Sequence, residues 1–410
     1  MNPGEGARAA VGDGAVRRPV RVTHVITRLI VGGAQENTVS TVLGLQAKPE
    51  FQTDLVTGPT SGPEGSLETD FRRRSDALTV LPTVVRPVRP FTDFRGLVDL
   101  KRLFARTKPT IVHTHSGKAG VLGRWAAHAA KVPIVIHGVH GPSFGPFQGA
   151  IANVTFRAAE RSAGKRTHFF VAVAKAMIDQ YLAAGIGQPQ QYQRVFSGFP
   201  LEPFLSAKND PALRQKLGIG IADFVVGKIA RLAPLKGHED VFKIAEYLAL
   251  EIPNVKFLLI GGGPQEEYFK QMAASKGLSK YFVFTGLVRP HEIPALTGIM
   301  DVLVHLSRRE GLPRALPQAM AAGKPVVAFD CDGAGEVCMT GQTGFLVKLD
   351  DHRGLLQALE TLAGSVDLRQ RLGEDGRAFV KERFPVEKMV EDTYAIYLRL
   401  LRERGFLGKH

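Results

Sequence analysis

Short runs of β-branched and apolar residues alternate with helix-patterned stretches along the chain, and the alternation starts again halfway. RVTHVIT (21–27), PTIVHTH (109–115), PIVIHGVH (133–140) and HFFVAVA (168–174) are such runs, with GLVDLKRLFART (96–107) as a helical pattern between them. Runs this continuously apolar suit parallel strands covered on both faces. A second set follows: FVVGKIARL (224–232), VKFLLIGGG (255–263), YFVFTGLV (281–288), DVLVHLS (301–307), KPVVAFD (324–330) and GFLVKL (344–349). The repeat predicts α/β architecture with doubly wound parallel sheets. A length of 410 residues exceeds one core, so two Rossmann-like domains facing across a cleft are expected. NDPALRQKLGIG (209–220) separates the two sets, and the boundary is placed near residues 200–208. Ligands in such sheets bind beyond the carboxyl ends of strands.

Charge is unevenly spread. Of the formal net charge of +14, residues 1–205 carry +11, from 25 Lys and Arg against 14 Asp and Glu. A basic half can meet nucleic acid, an anionic membrane or a phosphorylated substrate. No zinc-finger spacing or aromatic-basic RNA motif accompanies it, which argues against nucleic acid. Cys331 and Cys338 form no disulfide framework and no metal-ligand spacing, so they read as free thiols of a reducing compartment. Residues 1–18 are polar and rich in Gly and Ala, without an apolar core, and read as a disordered leader rather than a signal peptide. No apolar stretch is long enough to span a bilayer.

Three constellations lie just after strands. LIVGGAQENTVS (29–40) places Gly32 and Gly33 ahead of a helix start, where the backbone can approach an anion. A plain βα turn explains the same glycines. ARLAPLKGHED (230–240) carries Arg231 and Lys236, two cations suited to a diphosphate. A solvated loop with two surface charges is the alternative. In EGLPRALPQ (310–318), Glu310 stands before a helix N-terminus whose first amides, around Arg314, Ala315 and Leu316, can hold phosphate oxygens. Glu310 and Gln318 can accept hydrogen bonds from sugar hydroxyls, and Pro317 falls in the first turn, where its missing N–H matters little.

With GGAQ (32–35), HTHSGKAGVLGRWAA (113–127), VHG (139–141), VAVAKAMIDQYLAAGI (171–186), SGFPLEPF (197–204), IARLAPLKGHE (229–239), LLIGGGP (258–264), FTGLV (284–288), EGLPRALPQAMAAGKPVVAFD (310–330) and GQTGFLVKLDD (341–351) in order, the chain resembles the family 4 retaining glycosyltransferases of the GT-B fold. The resemblance covers almost everything from about Val22 to Leu401. It implies a leader over 1–18, an acceptor-side domain over 19–204, a nucleotide-sugar domain over 205–385, and a C-terminal helix over 386–410 that crosses back.

The resemblance also implies roles. Arg231 and Lys236 match the basic pair on the donor diphosphate, and Gly32 and Gly33 the loop near the diphosphate and acceptor. Glu310 matches the first Glu of a Glu-x7-Glu motif that contacts the transferred sugar. His140 matches a His near the reacting carbon, and Val288 a backbone position that meets the nucleobase. His115 is expected to line the acceptor cleft, with His113 and His137, at strand positions, in the core or just behind the site. Three positions depart from the pattern: Gln318 replaces the second Glu, Arg314 stands where Asn is frequent, and Ala174 where Ser is. A neutral Gln accepts more weakly than a carboxylate.

The implied activity is transfer of a hexose, with retention, from a nucleotide-diphosphate sugar to a hydroxyl acceptor. Neither a metal nor a cofactor is expected. A sugar or lipid-linked sugar is the implied acceptor, in polysaccharide or glycolipid synthesis, with a cytoplasmic location and an anionic membrane surface as a possible partner. Arg72, Arg73, Arg74 and RAAERSAGKR (157–166) supply basic surface, and FGPFQGAIANVTF (144–156) supplies aromatics expected at an interface. A purely solvated basic face is the bland alternative. Two other functions stay open: a nucleotide-sugar-binding or scaffold protein without turnover, motivated by Gln318, and a nucleotide-sugar epimerase.

Overall fold

The computed structural model describes residues 19–407 apart from 61, 63, 64 and 146. The leader expected over 1–18 lies outside the described residues, as do residues 408–410. Two wholly parallel sheets are present. The first contains β1 (Val20–Ile26), β2 (Phe51–Thr57), β3 (Leu78–Val80), β4 (Ile111–His115), β5 (Ile134–Val139), β6 (Phe169–Ala172) and β7 (Tyr192–Arg194), in the order β3-β2-β1-β4-β5-β6-β7. The second contains β8 (Phe224–Ile229), β9 (Val255–Ile260), β10 (Phe282–Phe284), β11 (Val302–His305), β12 (Val326–Phe329) and β13 (Gly344–Val347), in the order β10-β9-β8-β11-β12-β13. Strand order reverses between β1 and β4 in one sheet and between β8 and β11 in the other, which makes each junction a natural ligand crevice. This is the two-domain Rossmann-like architecture expected from the repeat.

The central strands form because their residues bury on both faces. Every residue of β4, β5, β11 and β12 is buried. Sequence reading passed over β2, β3 and β7. β2 alternates exposed Gln52 and half-buried Asp54 with buried neighbours, one of them Thr53, and β3 and β7 are three-residue strands at the sheet edges. Short or half-polar strands carry little periodicity to read.

The chain leaves the second sheet through the helix Val366–Arg383 and returns as the helix Val386–Glu403. That last helix packs on the helix Gly33–Gln46. Its Met389, Val390, Ile396, Tyr397, Leu400 and Leu401 join Val22, Ile111, Ile134 and Ile136 in one core. Each fully buried aliphatic side chain stabilises by about 1.5–3 kcal/mol, so this helix ties the ends of the chain together.

The two units also meet directly. A single apolar cluster contains Val139, Phe170 and Met177 of the first and Leu258, Leu316 and Ala334 of the second. Arg194 pairs with Glu336 at 2.9 Å, and Gln180 donates to Asp332 Oδ1 at 2.6 Å. No helix among the described residues is long and apolar enough to cross a membrane.

The surface differs from expectation at one place. In FGPFQGAIANVTF, Phe144 is buried against Tyr181, with ring centroids 5.3 Å apart, and Phe147 stacks under Arg309 at 3.5 Å. The exposed apolar side chains there are Ile151 and Val154, and Val88, Phe91 and Phe94 are exposed near the start of the helix Pro90–Thr107. Arg72 and Arg73 pair with Glu68 and Asp70 of their own helix, which blunts that basic run.

Candidate active site

β8 and β11 are neighbours, so the loops at their carboxyl ends come together. Lys236, on the loop after β8, donates to Glu310 Oε1, on the loop after β11, at 2.6 Å. The Lys236 loop is tight: Leu235 has φ 69 and Gly237 φ 67. A branched residue in the left-handed region stores local strain, a habit of ligand loops. His305 Nε2 lies 3.5 Å from the same Glu310 oxygen, an electrostatic contact more than a formed hydrogen bond. Burial pushes the Glu310 carboxyl up, but His305 and Lys236 outweigh it and hold it well below the usual carboxylate range. Glu310 is therefore an anion at neutral pH.

Two residues that sequence reading missed act on this pair, one through a hydrogen bond and one through its charge. Asp332 Oδ2 accepts the backbone N–H of Glu310 at 2.6 Å. Lys228, in β8, is 1% exposed and its ammonium has no hydrogen-bond partner among the described residues. Burial and the neighbouring Lys236 bring its pKa down to about 7, against the pull of Asp240 and Glu310. A lysine inside an apolar strand run was the sequence signal for it.

Across the cleft, His140 follows β5 and is half-buried. A Cβ added to Gly311 would fall 1.9 Å from the His140 carbonyl oxygen, so the two backbones touch. His140 and Glu310 thus share one place although they belong to different sheets. Beside them, a groove of about 530 Å³ is lined by Phe147, Asn153, Arg157, Gln180, Arg309 and Asp332.

Behind His140 the rings form a row. His24 on β1 and His113 on β4 are register partners, and His115 lies two residues beyond His113 on the same face. His115 Nδ1 meets His140 Nε2 at 2.9 Å, and His115 Nε2 meets His24 Nδ1 at 2.9 Å. Tyr397 of the last helix closes the row, its hydroxyl 3.2 Å from His24 Nε2 and 2.6 Å from His113 Nδ1. Burial lowers the pKa of His24 to about 3 and of His140 to about 4. It also holds His113 and His115, with help from neighbouring rings, well below the ordinary value. Burial raises the Tyr397 phenol. All five groups are neutral at pH 7.

The remaining candidate residues sort as follows. Gly32 and Gly33 open the helix Gly33–Gln46, and a Cβ on Gly33 would lie 2.9 Å from Arg314 Cδ. The Arg314 side chain is held in an ion pair rather than open to solvent. Its Nη1 donates to Glu36 Oε2 at 2.6 Å, joining the glycine loop to the second unit. His115 departs from expectation: at 2% exposure it backs His140 rather than lining an open cleft. The helix after Glu310 is short, Ala315–Ala321, with Ala315 and Leu316 buried and the Leu316 amide bonded to Pro313 O at 3.3 Å. Its N-terminus offers fewer donors than expected. Gln318 is half-buried one turn on. Arg231 is exposed, and its carbonyl accepts from His238 Nε2 at 3.0 Å. Val288 follows β10, partly buried against the core.

Among the described residues, two side-chain groups have the spacing of metal ligands: His24, His113 and His115, and Asp240, Asp350 and His352. In the first the rings already bond one another or Tyr397. In the second the Arg308 guanidinium bridges Asp240 and Asp350.

Comparison with known proteins gives a consistent picture. Residues 32–195 match the family described as a glycosyl transferase 4-like domain, and residues 209–379 the glycosyl transferases group 1 family. The Escherichia coli UDP-Gal:alpha-D-GlcNAc-diphosphoundecaprenol alpha-1,3-galactosyltransferase is 26% identical over 93% of this chain and 97% of its own length. The Staphylococcus aureus capsular polysaccharide biosynthesis glycosyltransferase CapM is 25% identical over 78% of this chain and 84% of its own. Among solved structures, Anabaena HepE in complex with UDP superposes with a TM-score of 0.77 at 21% identity, covering 93% of this chain and all of that one. Sucrose-phosphate synthase from Thermosynechococcus elongatus gives 0.78 at 18% identity, covering 94% of this chain and all of that one.

Proposed function

The chain belongs to the group 1 glycosyltransferases of family 4 type, with the GT-B fold, and we propose that it transfers a hexose, with retention, from a nucleotide-diphosphate sugar to a lipid-linked or polysaccharide hydroxyl. The observation that carries this reading is the Lys236–Glu310 pair, held at the strand-order reversal and touching the His140 segment.

The chemistry follows from charge. Negative charge builds on the departing diphosphate as the sugar–oxygen bond breaks. Arg231 and Lys236, both on the loop after β8, would stabilise it as fixed cations. These cations supply what a metal supplies in other transferases, so activity is expected to survive chelation. Glu310, ionised and aimed by Asp332, accepts hydrogen bonds from the sugar hydroxyls. His140 orients the sugar from the other side. The acceptor oxygen attacks on the face from which the diphosphate leaves, and a diphosphate oxygen takes the acceptor's proton. No protein nucleophile is needed.

A uridine diphosphate hexose is the first donor to test, since the galactosyltransferase relative uses UDP-Gal. A lipid-linked acceptor would bring the protein to the inner face of a membrane. Exposed Phe91, Phe94, Ile151 and Val154, with exposed Arg86, Arg89 and Arg95 nearby in sequence, suit an anionic bilayer, each cation adding about 1 kcal/mol.

The test is transfer from UDP-galactose and UDP-glucose to a diphospholipid-linked amino sugar, with the product's anomeric configuration read by NMR. Product with the donor's configuration, formed equally with EDTA, is expected. An inverted product contradicts the mechanism. Gln318 favours one second reading, donor binding without turnover; acceptor-dependent release of nucleoside diphosphate decides against it.

A further inference from the structure

Five neutral hydrogen-bonding groups run in series from the cleft into the first domain: His140, His115, His24, Tyr397 and His113. Four bonds join them. Each neutral ring has one N–H and one bare nitrogen, and the phenol has one proton. Five protons therefore serve four bonds, and the fifth sits at one end of the row. Either His140 Nδ1 carries it, or His113 Nε2 does. Every ring's tautomer is then dictated by its neighbour's.

The distances at Tyr397 choose the direction. Hydroxyl-donated hydrogen bonds are shorter than those donated by N–H. The 2.6 Å contact is therefore Tyr397 O–H donating to His113 Nδ1, and the 3.2 Å contact is His24 Nε2–H donating to the phenol oxygen. His24 Nδ1 must then accept from His115 Nε2–H, and His115 Nδ1 from His140 Nε2–H. The fifth proton falls on His113 Nε2, which has no hydrogen-bond partner among the described residues. His113 borders a cavity of about 20 Å³ lined also by Asn37, Thr41 and Thr393, space for one water among polar groups.

We propose that Tyr397, through His24 and His115, is a positioning residue that keeps His140 Nδ1 unprotonated, so that His140 offers the donor sugar a hydrogen-bond acceptor. This rests on the reading of His140 as a sugar contact. Gly138 makes the row possible: a Cβ there would lie 2.7 Å from His115 Nδ1, 3.0 Å from His140 Nε2 and 3.3 Å from His113 Nε2. The wiring also gives the returning C-terminal helix a function at the cleft, since the ring that sets the direction belongs to it.

The test is ¹⁵N NMR of the imidazole nitrogens in histidine-labelled protein without ligand. The wild type is expected to show His24, His113, His115 and His140 all as Nε2–H. In Tyr397→Phe, His24 Nε2–H would lose the phenol oxygen that accepts it, and a buried unpaired N–H is unfavourable. His24, His115 and His140 then switch together to Nδ1–H, while His113 stays. Transfer should fall about tenfold in kcat, a loss near 1.4 kcal/mol, with the donor KM little changed. An Nδ1–H His140 in the wild type, or one unmoved in Tyr397→Phe, overturns the proposal. If Tyr397→Phe does not fold, Gly138→Ala serves: wedging the His115–His140 contact must change the His140 nitrogen shifts and leave those of His24, and unchanged His140 shifts overturn the proposal. A tautomer switch with unaltered kcat would uphold the row and refute the sugar contact instead.

Discussion

Gly311 and His140 touch through their backbones: a Cβ on Gly311 would sit 1.9 Å from the His140 carbonyl oxygen and 3.1 Å from Gly141 Cα. One residue follows the second sheet's β11 and the other the first sheet's β5. Their contact sets the separation of Glu310 from His140, the two groups proposed to hold the sugar from opposite sides.

Gly311→Ala is therefore expected to push the units apart at the site. Rigid backbone on both sides leaves no side chain to yield. Misplacement of this kind costs about 10–100-fold in rate. Steady-state kinetics should show that loss with a folded protein of nearly unchanged circular dichroism. A fully active variant would mean that the closed contact is not needed for turnover.

Lys228→Met is expected to stabilise the protein. The Lys228 ammonium is buried with no hydrogen-bond partner among the described residues, and burial brings its pKa down to about 7. Below about pH 7 both folded and unfolded chains hold the proton, and the burial penalty is complete. As pH rises from there toward the ordinary lysine pKa, the folded protein releases the proton first and the penalty fades. Wild-type stability gains from this group as pH rises through that window. Thermal melts should find Lys228→Met ahead by about 2–5 kcal/mol near pH 6 and by much less near pH 10. An equal difference at both pH values would place the lysine in water.

Gln318→Glu restores the second carboxylate of the Glu-x7-Glu pattern. Hydrogen bonds to a charged acceptor are about twice as strong as neutral ones. The variant should lower the donor KM by about threefold to tenfold, or roughly 1 kcal/mol, with kcat little changed. A raised KM would show that the pocket is built around the neutral amide.

The second sheet was readable almost strand for strand, because VVGKI, VKFLLI and VLVH are mostly apolar, each broken by a single polar residue. β2, β3 and β7 were not, since half-polar or three-residue strands resemble loops until their neighbours are known. Lys236, Glu310 and His140 were legible because each follows a strand in a short motif. The residues that hold them were not. Asp332 lies 22 residues beyond Glu310, and His24 is 373 residues from Tyr397. Such contacts exist only once the strands are in order. Arg314 shows the converse: its sequence position pointed to a phosphate, and the fold gave it Glu36 as a partner from the other unit.

The central claim is that Lys236 and Arg231 hold a nucleotide diphosphate beside Glu310. Thermal melts with UDP, GDP and ADP and their sugar conjugates test it most directly. A ligand at about a hundredfold excess over Kd adds about 2.7 kcal/mol. One nucleotide class should raise Tm in the wild type, and the shift should vanish in Lys236→Ala and Arg231→Ala. Shifts that persist in both variants, or no shift with any nucleotide, would contradict the account.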